Sequence, residues 1–309
     1  MRQFLLVVAV LLCCSCGWAE SDQHQGKTVR LLTVGNSFSG NATRYLADIA
    51  AAAGDRLIFV RADLPGCPME RHWKAVEAAE ADPKSEAGRP YNVSLDGEKA
   101  QHHSLKEILS SQKWDYVTIQ QASINSPDIK TYRPYATNLR DYIKKYAPQA
   151  EILVHETWAY RCDDPGFGKD GNTQEKMYQG LRASYQTIAK ELGLRIMPVG
   201  DAMQAAATDP AWCYKPASFD KASLKYPDLP NQTHSMNVGW HWQDDKDGGH
   251  TLAMDGHHAS NLGCYVAGCV WFESMFKQSV EGNKFVPQGI SEGDAKYLQK
   301  VAHRVGNRQ

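Results

Sequence analysis

The stretch Val29-Arg30-Leu31-Leu32-Thr33-Val34-Gly35-Asn36-Ser37-Phe38-Ser39 decides how the rest of the chain reads. A short, mostly apolar run closed by a glycine has the composition of a strand buried on both faces. Apolar residues at helical spacing follow from Asn41 to Ala53. The glycine frees a tight turn, and the helix behind it offers unpaired backbone N–H groups at its N-terminus. A serine in that turn is exposed, and its own N–H can face an oxyanion. On this segment alone, the plainer reading is that Ser37 or Ser39 caps the helix.

Working outward, the pattern repeats. Arg56 to Arg61, Trp114 to Gln120, Ala150 to Val154 and Leu194 to Val199 are further strand candidates. Tyr132 to Tyr146 and Thr173 to Leu192 read as amphipathic helices, and Asn261 to Phe276 as a near-continuous apolar, buried helix. Strands alternating with helices predict an α/β fold, a three-layer αβα sandwich around a mainly parallel, flavodoxin-like sheet. Asp82 to His103 and Asp209 to Leu252 fit no regular element, and loops this long usually carry function. No composition break marks a second domain. The expected organisation is a leader over 1–19, one domain over 28–280, and a C-terminal helical extension over 281–309 packed on it.

The leader reading rests on Arg2, the apolar run Phe4 to Leu12, and the small residues of Gly17-Trp18-Ala19. Nine apolar residues span only about 14 Å as a helix, too short for a hydrocarbon core of about 30 Å. The expectation is therefore a secreted or periplasmic protein cleaved near Ala19. Lipid anchoring at Cys16 is the lesser alternative, because Cys13-Cys14-Ser15 is a poor lead-in. The 309 residues carry a net charge of -1 without a long single-sign run, which argues against nucleic acid or an anionic membrane surface as partner. No membrane span is expected, and the chain reads as a monomer. Beyond the leader, Cys67, Cys162, Cys213, Cys264 and Cys269 remain, with no CxxC spacing. Cys162 and Cys213 lie in loop-like segments and are the pair to suspect of a disulfide in an oxidising compartment.

Ligands of parallel sheets bind beyond the carboxyl ends of the strands, so the residues following each strand candidate matter most. After the second comes Asp63-Leu64-Pro65-Gly66-Cys67, whose glycine can bring a bare N–H against a ligand or can simply turn the chain. After the third come Gln120 and Gln121, whose amides could donate further hydrogen bonds. Asp255-Gly256-His257-His258 precedes the apolar helix. A carboxylate three residues before a histidine can accept the imidazole Nδ1–H and leave Nε2 free to take a serine proton. The plainer reading is a polar helix-entry turn. His250 and His257 with Asp244, Asp245 and Asp247 raise a metal reading, but their spacing matches neither an EF-hand nor an HExxH site; no metal or other cofactor is expected.

Together, and in this order, these pieces resemble the SGNH (GDSL-type) hydrolase superfamily over about Thr28 to Phe276. The nearest likeness is a bacterial secreted branch with Gly-Asn-Ser-Phe-Ser as first block. Gly66-Cys67-Pro68-Met69-Glu70-Arg71-His72-Trp73 and His155-Glu156-Thr157-Trp158-Ala159-Tyr160 resemble further blocks of it. The resemblance implies Ser37 as nucleophile, His258 as base and Asp255 as the orienting acid. It implies an oxyanion hole from the N–H groups of Ser37 and Gly66. The superfamily's Gly-x-Asn-Asp block has no counterpart here, so Gln121 or Gln120 would have to supply the side-chain amide.

An α/β-hydrolase esterase is the nearest rival, but Ser39 stands where Gly-x-Ser-x-Gly needs glycine, and the serine follows the first strand. A silent carbohydrate-binding or scaffold protein on the same fold is a different class of answer. The expected substrate is a small-molecule or glycan ester with a short, acetyl-sized acyl group. Trp212, Tyr214, Trp240 and Trp242, with Trp73, Trp158 and Tyr160, offer flat faces that suit sugar rings. Trp158, Trp240 and Trp242 are the substrate-binding candidates, with plain core packing as the competing reading, above all for Trp73.

Overall fold

The computed structural model describes residues 26–95 and 97–307. The expected leader and Cys16 lie outside them. The first strand, β1 (Thr28–Gly35), leads into helices α1 (Ser37–Thr43) and α2 (Leu46–Ala52). Then follow β2 (Arg56–Asp63), α3 (Met69–Ala81), the short strands β3 (Tyr91–Val93) and β4 (Gln101–His103), and α4 (Leu105–Ser111). The middle of the chain forms β5 (Tyr116–Ile119), α5 (Tyr135–Tyr146), β6 (Glu151–His155), α6 (Gln174–Leu192), β7 (Arg195–Met197) and α7 (Val199–Ala207). The last elements are β8 (Asn237–Asp244), β9 (His250–Ala259), α8 (Asn261–Phe276) and α9 (Glu292–Gly306).

Five strands form one parallel sheet in the order β2-β1-β5-β6-β7. β1 lies inside it, and its side chains alternate between two cores because successive strand residues point to opposite faces. Val29 and Leu31 join a core with α2, α7, α8 and α9. Leu32 and Val34 join the other, with α3, α4, α5 and α6. That alternation makes a three-layer sandwich. The chain leaves β1 toward β2 and later returns to β5 on its other side, so a crevice opens beyond Gly35, where ligands of such sheets bind. Helix α9 packs its Leu298, Val301 and Ala302 into the core that α8 fills. Among the described residues, no helix is long and apolar enough to cross a membrane.

Three expectations need correction. The helix over Asn41 to Ala53 is two helices, because Thr43 Oγ1 donates back to the Ser39 carbonyl, a bond that competes with the helical ladder. Both stretches read as irregular hold antiparallel ribbons, β3–β4 and β8–β9. The plainer reading of Asp255 to His258, a polar helix-entry turn, gives way to the end of a ten-residue strand, β9. Cys162 and Cys213 are free thiols, not a disulfide.

Candidate active site

Ser37 is the first residue of α1, directly after the turn at the end of β1. The turn is held by the residues on either side of the serine. Asn36 accepts the Phe38 N–H at 3.0 Å and so caps α1. Gly35 is needed for close approach: a Cβ there would collide with Ser39 Oγ and reach within 2.9 Å of the Gln120 carboxamide. The Gly35 carbonyl accepts the Leu64 N–H at 3.0 Å and the buried His72 Nε2–H at 2.9 Å. Burial pushes His72 down to about 4, so its ring is neutral.

The second half of the site arrives on β9. Residues three apart on a regular strand face opposite ways, which would separate Asp255 from His258. The register shifts here: Asp255 pairs with Gly239, but Ala259 pairs with Asn237, so β9 carries two extra residues in between. This bulge turns the histidine back over the carboxylate. Asp255 Oδ1 accepts the His258 backbone N–H at 2.9 Å, and Oδ2 accepts His258 Nδ1–H at 2.8 Å. His258 Nε2 then stands 2.9 Å from Ser37 Oγ. A carboxylate can only accept, so the proton sits on Nδ1, and Nε2 offers its lone pair to the serine hydroxyl. Burial alone would raise the Asp255 carboxyl. The hydrogen bonds from the His258 ring and backbone, with the charges of His258 and His257, outweigh it and hold Asp255 well below the usual carboxylate range.

Two backbone N–H groups just past the carboxyl ends of β1 and β2 have no acceptor among the described residues. One is Ser37's own, at the helix start; the other is that of Gly66, an exposed turn residue after β2 with φ +59°. The two glutamines expected to add a side-chain amide do not do so. Gln120 is buried and donates Nε2–H to Asn36 Oδ1 at 2.8 Å. Its Oε1 accepts from Ser39 Oγ at 2.6 Å and from His155 Nδ1 at 2.7 Å. Gln121 is buried too, with Nε2 donating to the Thr131 carbonyl at 2.8 Å and Oε1 accepting the Met69 and Ala122 N–H groups. Both amides are engaged in holding loops. Asn36 completes the network by donating to the Cys67 carbonyl at 3.1 Å, which links the ends of β1, β2, β5 and β6.

The family's sequence profile matches residues 30–226 and 241–305, which include Ser37, Asp255 and His258. The chain belongs to the DUF4886 family, a domain of unknown function. A crystal structure of a DUF4886 family protein from Bacteroides uniformis is 27% identical over 90% of this chain and 94% of that one, with a TM-score of 0.69. A protein from Slackia heliotrinireducens, provisionally named an SGNH hydrolase, is 18% identical over 80% of this chain and 99% of that one, with a TM-score of 0.47. An acetylxylan esterase from Geobacillus stearothermophilus is 12% identical, covering 81% and 95%, with a TM-score of 0.43. No curated protein matches the chain.

The aromatic candidates of this DUF4886 chain divide sharply. Trp158 has no exposed face: it stacks on Phe38 at 4.2 Å and donates Nε1–H to the His257 carbonyl at 2.8 Å. It supports the Asp255–His258 segment from below and cannot meet a substrate. Trp240 and Trp242 pair with Met254 and Leu252, so they lie on the ribbon face opposite Asp255. Phe219 and Tyr226 pack edge-on against them. Trp212 is core, stacked between His234 and Tyr297. His72 and His155 were not singled out as site residues, although both fall within blocks that carry the resemblance. Asp255, His257 and His258 also offer three ligand atoms within 4.8 Å of one another, the single group of that kind among the described residues. Two of those side chains already serve the Ser37 row.

Proposed function

We propose that this protein is a serine esterase acting through an acyl-enzyme. The observation that carries the reading is the unbroken row from Ser37 Oγ through His258 to Asp255, at 2.9 and 2.8 Å. Nucleophile, base and orienting carboxylate stand at hydrogen-bond reach in the order acyl transfer needs. In the first half, His258 Nε2 takes the hydroxyl proton as Ser37 Oγ adds to the ester carbonyl carbon. The negative charge on the carbonyl oxygen is met by the N–H groups of Ser37 and Gly66. The imidazolium, held by Asp255, then returns its proton to the departing alcohol. In the second half, water loses a proton to the same nitrogen and attacks the acyl group. The acid leaves, and Ser37 regains its proton.

The finer part of the proposal is the substrate: a short acyl group, acetyl in size, on a carbohydrate alcohol. It draws on the resemblance to SGNH hydrolases and on the His257 and Tyr160 rings beside His258 rather than on the triad. The proposal extends to an exported protein, as the N-terminal segment suggests. A fluorophosphonate probe followed by peptide mass spectrometry tests the chemistry. The expected result is one adduct, on Ser37, which is absent in His258→Ala. Labelling elsewhere, or none with folded protein, would favour a silent binding protein on the same fold.

A further inference from the structure

Beside the catalytic row lies a second hollow of about 300 Å³ that the chemistry above does not use. Ile124, Tyr160, Asp164, Phe167, Asn172 and Lys176 line it, among others. Its position follows from the fold. Ile124 comes from the loop after β5 and Tyr160 from the loop after β6, both at the carboxyl edge of the sheet where Ser37 sits. Tyr160 joins the two places: its ring lies 5.5 Å from that of His257, whose own ring is 4.4 Å from His258. On its other side, Tyr160 faces Phe167 at 6.4 Å. The hollow is also fixed to the acid's strand, because the Arg161 N–H donates to the Gly256 carbonyl at 2.7 Å. Larger hollows exist, of about 430 Å³ beside Arg195, Lys277 and His303 and about 520 Å³ beside α6 and α7. Arg195 begins β7, which puts the first at the wrong end of a parallel sheet. The second is lined by residues of α6 and α7 with Thr208 and with Val305 of α9, none of which contacts the row.

The lining decides what would fit. Two aromatic rings and the exposed Ile124 supply apolar faces. Asp164, Asn172 and Lys176 supply a carboxylate, a carboxamide and an ammonium within the same small wall. Asp164 Oδ1 accepts the Gly166 N–H at 2.8 Å, Oδ2 lies against Gly256 of the acid's strand, and Lys176 Nζ donates to the Gly171 carbonyl at 2.6 Å. A long acyl tail would displace water from these polar groups without replacing its hydrogen bonds, which is unfavourable. A sugar ring offers the opposite match: a flat C–H face for Tyr160 or Phe167, and hydroxyls that can both donate and accept. The volume is at the lower limit of small-molecule sites, with room for roughly one or two rings. We propose that this hollow is a subsite for the alcohol half of the ester. It would hold a neutral sugar residue next to the one that carries the acyl group. This rests on the esterase reading, and it adds the residues that select the glycan.

Two measurements test it separately from that reading. The first compares kcat/KM on acetylated xylotetraose with kcat/KM on 4-nitrophenyl acetate, in wild type, Phe167→Ala and Asp164→Asn, all checked by thermal melting. The ratio should fall at least tenfold in the variants, chiefly through KM for the oligosaccharide. An unchanged ratio in both folded variants would overturn the subsite, and so would a change in acyl-chain preference instead. The second is calorimetric titration of Ser37→Ala with unacetylated xylotetraose or chitotetraose, which needs no turnover. Binding by one of them, weakened at least tenfold by adding Phe167→Ala, supports the subsite even if the esterase reading fails. Active enzyme that binds neither sugar would leave the esterase standing and remove this proposal.

Discussion

Ser37 and Ser39 stand two residues apart on one turn and live in different worlds. Ser37 faces the crevice, half-buried, with its hydroxyl on a histidine whose nitrogen can take the proton. Ser39 is fully buried, and its hydroxyl donates to Gln120 in a network that continues to His155 and Asn36. Under the proposed function, the crevice side is where a proton moves. On the buried side Ser39, Gln120 and His155 each donate to an acceptor, His155 Nε2 has no partner among the described residues, and burial pushes His155 down to about 3 so that it stays neutral. What a hydroxyl can meet in this turn is thus a matter of which face it occupies, not of residue type. The rigid face keeps the mobile one in register.

The largest expected effect breaks the crevice side. Ser37→Ala should lower kcat on an aryl acetate by on the order of 10⁶-fold, the loss seen when a triad nucleophile is removed, with the melting temperature nearly unchanged. Comparable rates for Ser37→Ala and wild type would end the assignment. Next come the neighbouring histidines. His258→Ala should be almost inactive and His257→Ala mostly active, and the reverse ranking would move the base by one residue. Protonated His258 cannot accept the serine proton, so kcat/KM should fall with acid. Asp255, held well below the usual carboxylate range, stays ionised as acid is added. Chelators should leave the rate unchanged; loss of activity with EDTA, restored by metal, would instead favour a metal on Asp255, His257 and His258.

Smaller effects probe the buried side. Gln120→Ala would strand Asn36, Ser39 and His155 partners away from water, with roughly 3 kcal/mol of stability lost, readable by denaturant titration. A rate loss without a stability loss would return Gln120 to the oxyanion. Acid should also weaken the fold. His72 and His155 stay neutral in the fold down to about 4 and about 3, while the unfolded chain takes up their protons near pH 6.5. Stability therefore falls as pH drops from about 6.5. Asp63, which burial raises to about 6, works the other way over part of that range because the folded form takes a proton first. His72→Gln should flatten the slope by about one proton, and an unaltered slope would contradict a buried neutral ring. Least of all, Ser39→Ala should cost about 1 kcal/mol and change the rate only a fewfold.

Much of this was legible in the chain. The β1 run and its Gly35 turn, the alternation of strands and helices, and the apolar α8 are local patterns, set by side-chain periodicity and turn chemistry. The order of Ser37, Asp255 and His258 could be read because Ser37 follows the β1 run and the other two precede the apolar α8. The ribbon β8–β9 was harder: Trp240 and Trp242 pair with Met254 and Leu252, but Gln243 pairs with Thr251 and Asp244 with His250, so the apolar signal in each strand is short and interrupted.

What the sequence by itself determined is therefore the sheet, the layers and the chemical identity of the row. What only the tertiary structure decided is which polar groups are free. Gln120, Gln121 and Trp158 carry the right chemistry at plausible places, yet each is buried and bonded by residues between 10 and 99 positions away. A donor already engaged in a dry interior cannot turn to a substrate without leaving its partner unsatisfied. No local pattern records that partner. Conversely, Asp255 meets His258 only because a bulge against Asn237 and Gly239 adds residues to one strand, and a bulge is a property of two strands in register.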